Sequence, residues 1–317
     1  MIDAYGRNVT YLRLSVTELC NLRCRYCMPE EGVPKRSHFD LLTEDEMILA
    51  VRAAAAIGVN KVRITGGEPL TKPNILSICR RVAQVEGIVD TAITTNAVML
   101  PALATPLREA GIRRVNISLD TLNPEKYAFI TRRGNLHDAW KGIRAALDAG
   151  FDKVKINVVL IGGFNDDEIP ALAALTQQEP VDVRFIELMP MPGDTLLGED
   201  AYIPASRVLS ALPEAVPAGG HDGVAQLYRL PGAKGCIGLI SPLSNHFCGE
   251  CNRLRLTADG HVKPCLHSGD EISIKGLDYE GMVAALRRAV GMKPREHETL
   301  SATQRSHAER TMNQIGG

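Results

Sequence analysis

Aromatic residues are scarce in this chain of 317 residues: Phe, Trp and Tyr together make up 4%. The core must therefore rest on Val, Ile, Leu, Ala and Met. Long apolar runs are missing too. No stretch is long enough to span a bilayer, and no N-terminal apolar segment has the secretory form. A cytoplasmic protein is expected. An excess of one charge is also lacking. The net charge of −1 gives no general pull toward nucleic acid or an anionic membrane. Any anion site must be assembled from locally gathered Arg and Lys. There is no low-complexity tract and no repeat beyond a strand–helix unit. In a reducing compartment the eight cysteines are not expected to form disulfides. Closely spaced cysteines there are more often metal ligands or catalytic groups.

What is present is a strand–helix alternation. β-rich runs at 9–16, 61–65, 91–95, 114–120, 153–160 and 181–188 are separated by helical patterns at 43–58, 73–87, 101–111, 138–150 and 166–178. Several helical stretches open on a capping residue or Pro and close on Gly. This order predicts an α/β domain with a parallel sheet, either an open doubly wound sheet or an incomplete barrel. In both, ligands gather at the carboxyl ends of the strands. The pattern changes after Met189. A short helix is expected at 206–213, a loose loop at 214–223, strands at 225–230 and 236–243, a hairpin over 253–265 turning at Asp259 and Gly260, and a helix at 278–292. The expected division is a sheet domain at 1–190, a smaller domain at 191–294 and a polar, aperiodic tail at 295–317.

Two cysteine groups stand out, each with three members. Cys20, Cys24 and Cys27 follow the first expected strand. Structural zinc wants four protein ligands, whereas a 4Fe–4S cluster held by three cysteines leaves one iron open. A zinc site completed by His38 is the competing reading. Cys248, Cys251 and Cys265 form the second group, for which a zinc ribbon completed by His246, His261 or His267 competes with a second cluster. Cys79 and Cys236 read as buried packing residues.

The run Cys20-Asn-Leu-Arg-Cys24-Arg-Tyr-Cys27 resembles the cysteine motif of the radical S-adenosylmethionine (SAM) superfamily, and "TGGEP" at 65–69 resembles its loop for the SAM amine. The second group reads Cys248-Gly-Glu-Cys251-Asn-Arg253-Leu-Arg255, then Cys265, and the chain ends Gly316-Gly317. Together these resemble the GTP 3′,8-cyclase family of molybdenum cofactor biosynthesis, over essentially the whole length.

The resemblance implies an incomplete (β/α)6-type parallel barrel whose open side is closed by a smaller C-terminal α+β elaboration carrying a second cluster. It implies two 4Fe–4S clusters and SAM as cofactors. The implied activity is that of a lyase that converts GTP to 3′,8-cyclo-7,8-dihydroguanosine triphosphate through a 5′-deoxyadenosyl radical. By family position Tyr26, Gly67, Ser118 and Met189 contact SAM. Arg13, Arg63, Thr94, Lys155, Arg253, Leu254 and Arg255 match GTP contacts, and the strand pattern adds Lys61 and Arg184. Cations inside apolar strands suit a lumen that holds an anion. Catalytic roles fall to Arg13, Arg253, Arg255, Gly316 and Gly317, the diglycine entering a crowded site where side chains would not fit. Implied partners are a flavodoxin- or ferredoxin-like one-electron reductant and the downstream cyclic pyranopterin monophosphate synthase, with neither nucleic acid nor membrane involved, for a monomer or homodimer. One departure is visible: Ala97 stands where the family reads Gly. If that position needs positive φ, Ala strains the loop.

Overall fold

The structure, a computed structural model, describes residues 1–193, 199–301 and 304–316. The first part alternates as β1 (Tyr11–Ser15), α1 (Glu44–Ala56), β2 (Lys61–Thr65), α2 (Ile75–Ala83), β3 (Asp90–Thr95), α3 (Leu100–Glu109), β4 (Arg114–Ser118), α4 (Pro124–Thr131), α5 (Leu136–Asp148), β5 (Lys153–Leu160), α6 (Ile169–Gln178) and β6 (Val181–Glu187). Then follow α7 (Ser206–Ala211), β7 (Val216–Asp222), β8 (Ala225–Arg229), β9 (Ile237–Ile240), β10 (Arg253–Leu256), β11 (His261–Lys263), β12 (Ile272–Ser273), α8 (Tyr279–Gly291) and α9 (Met312–Ile315). None of the described helices is long and apolar enough to cross a membrane.

Several elements differ from expectation, among them the two-residue β12, which was not foreseen. The stretch 214–223 is not a loose loop: Val216–Asp222 pairs antiparallel with β8, with a register shift between Pro217 and His221. Its Pro and Gly content suits an exposed, bulged edge strand. Helix α4 was not foreseen, although Asn123 caps it through bonds from the Glu125 and Lys126 amides and Pro124 opens it. The tail is not wholly irregular, since α9 carries a capping box between Thr311 and Gln314.

Among the described residues all twelve strands form one sheet in the order β12-β11-β10-β1-β2-β3-β4-β5-β6-β9-β8-β7. From β10 across to β9 every pairing is parallel. The C-terminal region therefore extends both edges of the six-strand unit and does not simply cap one side. Register sets the faces. Leu14, Ile64, Ile93, Val115 and Val154 are successive partners, and all lie in the buried apolar core beneath the helices. The alternate residues Arg255, Arg13, Arg63, Ala92, Arg114 and Lys153 are likewise successive partners and line the opposite face. That face is concave. Arg184 on β6 lowers the proton affinity of Arg63 on β2, though four strand spacings, about 19 Å in a flat sheet, separate them.

Ala97 does adopt positive φ, at 70°, which costs an L-residue about 1–2 kcal/mol. It is fully buried, and α5 presses on it: a Cβ added at Gly142 would lie 2.0 Å from the Ala97 carbonyl oxygen and 2.8 Å from its Cβ. We expect Gly142→Ala to destabilise the fold by about 2–3 kcal/mol, read by chemical denaturation. Unchanged stability would mean that this contact is not as close as described.

Candidate active site

The first cysteine group sits at the carboxyl end of β1, where a parallel sheet places its ligands. Backbone bonds hold its loop from two sides. Gly67 N–H donates to Thr17 O at 2.7 Å and Glu68 N–H to Leu19 O at 2.8 Å. Opposite, Arg23 and Arg25 amides bond the last turn of α4 at 3.0 Å each, and the Arg132 guanidinium reaches Arg23 O at 2.9 Å. Gly67 has a steric reason to be glycine: a Cβ there would lie 2.3 Å from Leu19 O. The close approach that requires it is to the cysteine loop itself.

The three thiols share one electrostatic neighbourhood. Burial pushes the Cys24 thiol well above its ordinary range, and Cys27, Asp120 and Cys20 push it further. Burial likewise lifts Cys20 to about 11. Crowded, buried thiols of this kind release protons when a metal centre supplies the compensating charge. His38 is exposed and joins no close group of ligand atoms among the described residues. The donor set is three sulfurs, which fits a cluster with an open iron.

Around this mouth sequence reasoning missed several polar groups. Glu68 is buried and accepts from the Asn96 amide at 2.7 Å, the Thr95 hydroxyl at 2.8 Å and the Leu70 amide at 3.0 Å. It ties the loop after β2 to the loop after β3. Burial raises its carboxyl to about 7. Asn96 in turn donates to Asn21, inside the cysteine run, at 2.7 Å. The Tyr26 hydroxyl donates to Asp120 at 2.8 Å, and Asp120 also accepts from the Val159 amide at 2.9 Å. Burial lifts Asp120 to about 6. Ser118 ends β4 on the concave face, beside Asn157. Met189 follows β6 and packs against the cluster of Met191, Ala308 and Ile315.

Below the mouth the concave face is cationic. Arg13, Arg63, Lys155, Arg184 and Arg255 are on it and buried or nearly so. Burial raises the Tyr11 phenol, yet Arg63, Arg13, Arg253 and Arg114 together bring it below its usual value. The local field is therefore positive. The Arg63 Nε, Thr94 hydroxyl, Asn116 Oδ1, Asn157 Oδ1 and Arg184 Nε are buried without a hydrogen-bond partner among the described residues. Buried polar atoms are rarely left so, and their gathering on one face marks a ligand site. Lys155, 1% exposed, and Arg184 both pair with the Asp222 carboxylate on the edge hairpin. Lys61, at the start of β2, is half-exposed and pairs with Asp90 at 3.2 Å. Leu254 requires a correction: its side chain lies on the other face, opposite Leu12 in the apolar core, so only its backbone could meet a ligand in the lumen.

The second cysteine group lies at the other end of this lumen. Cys248 and Cys251 immediately precede β10, which runs parallel to β1. Cys265 immediately follows the antiparallel β11. Both positions are therefore at the amino-terminal end of the barrel strands, below Tyr11. From Tyr11 to Ser15 the strand rises about 13 Å, a span that suits a nucleotide between the two groups. Arg255 feels the second group: burial and Arg253 lower it to about 10, while Cys251 and Cys265 pull it up.

A tetrahedral zinc would draw sulfurs to within about 3.8 Å of one another. Among the described residues the group gathered within 4.8 Å is His246, Cys248 and His297. His297 faces carbonyl oxygens with both nitrogens, Nδ1 to Glu298 O at 2.7 Å and Nε2 to Pro242 O at 3.0 Å. Carbonyls only accept, so both nitrogens donate and the ring has no lone pair for a metal. His261 turns instead to Asp259 at 3.3 Å, and His267 Nδ1 to the Ser306 hydroxyl at 3.1 Å. Among the described residues His246 gathers with Cys248, but no group within 4.8 Å joins a histidine to two of the three cysteines, so the donor set fits a cluster held by three cysteines better than a closed zinc tetrahedron.

The tail enters the first mouth. Asn313 donates to Glu18 O at 3.0 Å, and Arg255 Nη1 to Gly316 O at 2.8 Å. Gly316 has φ of 80°, and a Cβ on it would lie 2.3 Å from the Thr65 hydroxyl. Arg310 anchors the segment to Asp259 at 2.9 Å and Glu271 at 2.7 Å. Gly317 lies outside the described residues.

Comparison with known proteins shows the family. Residues 14–176 match the Radical SAM superfamily, and residues 181–299 match the family described as Molybdenum Cofactor Synthesis C. The chain is 48% identical over 330 residues to the GTP 3′,8-cyclase of Pelotomaculum thermopropionicum, with both chains fully covered. It is 46% identical over 327 residues to that of Moorella thermoacetica, again over full lengths. Among solved structures, SuiB of Streptococcus suis bound to precursor peptide SuiA has the same type of fold, with a TM-score of 0.63 at 15% identity over 86% of this chain and 63% of that one.

Proposed function

Since the chain belongs to the GTP 3′,8-cyclase family of radical SAM enzymes, we propose a division of labour among its own residues for that reaction. The enzyme converts GTP to 3′,8-cyclo-7,8-dihydroguanosine triphosphate, the first step toward molybdenum cofactor. The observation that carries the proposal is the placement of two three-cysteine groups at opposite mouths of one cation-lined lumen.

Cys20, Cys24 and Cys27 hold the first 4Fe–4S cluster, which with SAM supplies the 5′-deoxyadenosyl radical chemistry. Tyr26, Gly67, Ser118 and Met189 line the SAM site, with Asp120 fixing the Tyr26 hydroxyl. Cys248, Cys251 and Cys265 hold a second cluster beneath the guanine. Arg13, Arg63, Lys155, Arg184, Arg253 and Arg255 bind the triphosphate, with Thr94 and Lys61 at the margins of the same face. Fixed cations in a water-poor cavity orient the ribose at no reorganisation cost during the reaction. Gly316 closes the mouth and excludes water, and Gly317 shares the catalytic role assigned to the diglycine. The reductant is a flavodoxin- or ferredoxin-like protein, and cyclic pyranopterin monophosphate synthase takes the product onward in the cytoplasm. The split at about residue 190 separates the SAM-binding and second-cluster units.

Anaerobic metal analysis tests this reading. We expect about eight irons and eight sulfides per chain; two zincs without sulfide would contradict it.

A pH dependence follows from Lys155. Burial and then Arg184 hold its ammonium down to about 7, against the pull of Asp222. The free protein therefore loses this charge as pH rises through 7, and GTP must bring a proton in with it. GTP affinity is expected to fall by about tenfold per pH unit above 7, measured by calorimetry. Lys155→Arg keeps the charge and flattens the profile. Constant affinity from pH 7 to 9 in the unmodified protein would remove Lys155 from the phosphate site.

A further inference from the structure

Lys293 is 3% exposed and follows α8. Its ammonium has three donors, and the structure gives it three acceptors: Arg253 O at 2.9 Å, Pro264 O at 3.0 Å and Cys251 Sγ at 3.4 Å. Those acceptors belong to the second member of the C-x-x-C pair, the first residue of β10 and the residue before Cys265. One side chain thus ties together the segments that carry the second cysteine group. The neighbouring backbone is secured from the other side by Arg7, which is also buried. Its Nη1 donates to Cys248 O at 2.8 Å and Arg295 O at 3.0 Å, and its Nη2 to Pro294 O at 2.7 Å.

No carboxylate lies within ion-pair distance of Lys293 among the described residues. Lys263 makes the contrast. It too is fully buried, but it pairs with Glu271 at 3.0 Å. A buried ammonium without a counter-charge is costly. An anionic centre on Cys251 would supply that charge.

We propose that Lys293 is a positioning residue of the second cluster: it donates an N–H···S hydrogen bond to Cys251, fixes the three ligand-bearing segments, and provides the buried positive charge that stabilises the reduced form of that cluster. This rests on the two-cluster reading above. Hydrogen bonds to cluster sulfurs and local charge are the levers by which a protein sets cluster potential.

The test uses the full chain, reconstituted anaerobically, with Lys293→Met and Lys293→Gln. Gln keeps donors for the carbonyls without the charge, which preserves the fold should Met not be tolerated. Three readouts are taken: iron per chain, the midpoint potential of each cluster by spectroscopically monitored titration, and the rate of iron loss to a chelator. Both variants are expected to move the second cluster to a more negative potential while the first keeps its own. Chelator-driven loss from the second site should quicken by about 10–100-fold. An unchanged potential and loss rate in Lys293→Gln, with about eight irons per chain, would overturn the role of Lys293. About four irons in the unmodified protein would instead overturn the two-cluster reading.

Discussion

Cys24→Ala is expected to bring 5′-deoxyadenosine formation to background and to halve the iron content, from about eight to about four per chain. Cys24 is the centre of its group. Its carbonyl accepts from the Cys27 and Met28 amides at 2.9 and 3.1 Å, which closes the turn that carries both thiols. Its own thiol is buried, with Cys27 and Cys20 both acting on it electrostatically. Removing it leaves two sulfurs where three held the cluster, and His38 is too exposed to serve. The second group is independent, at the other mouth, so its iron should stay. Iron held at eight, or SAM cleavage persisting in this variant, would show that the first group does not hold the cluster that cleaves SAM.

Arg255→Ala is expected to separate SAM cleavage from cyclisation. Arg255 lies beside Arg13 on the lumen face and donates to Gly316 O at 2.8 Å. Its loss removes a buried cation from the substrate site and the anchor of the tail at once. GTP conversion should fall by about 10²–10³-fold, with weaker GTP binding, while uncoupled 5′-deoxyadenosine still forms. Deleting Gly316 and Gly317 divides the two contributions. Turnover should drop, both clusters should remain, and GTP affinity should hold, because Arg255 is still there. If Arg255→Ala cyclised GTP at the normal rate, Arg255 would have no part in the site.

The strand framework that carries this site was legible in the sequence. The run Lys61-Val-Arg-Ile-Thr65 is a strand from end to end, because alternation and β-branching coincide there. Cysteine spacing points to metal ligation but leaves zinc completed by a histidine open, and the resemblance of the two motifs turns the reading toward clusters. The strain anticipated for Ala97 is present as positive φ.

What was not legible depended on partners distant in sequence. Nothing in 253–256 says that it pairs parallel with β1, yet that pairing sets the two cysteine groups at opposite mouths. Glu68, Asp120 and Lys293 are buried charges whose partners are mostly backbone groups elsewhere in the chain, and such partners leave no spacing signature. Leu254 was assigned with its neighbours because the motif is contiguous, whereas a strand sends alternate side chains to opposite faces. Strand β7 was hidden by a composition that fits loops and bulged edges equally.

One isotope measurement tests the shared lumen most directly. GTP deuterated at C3′ is incubated anaerobically with the reconstituted protein, SAM and a strong reductant. Deuterium is predicted to appear in 5′-deoxyadenosine in step with cyclised product, because one lumen holds the SAM site and the ribose together. SAM cleavage with GTP recovered unaltered, and 5′-deoxyadenosine free of deuterium, would contradict it.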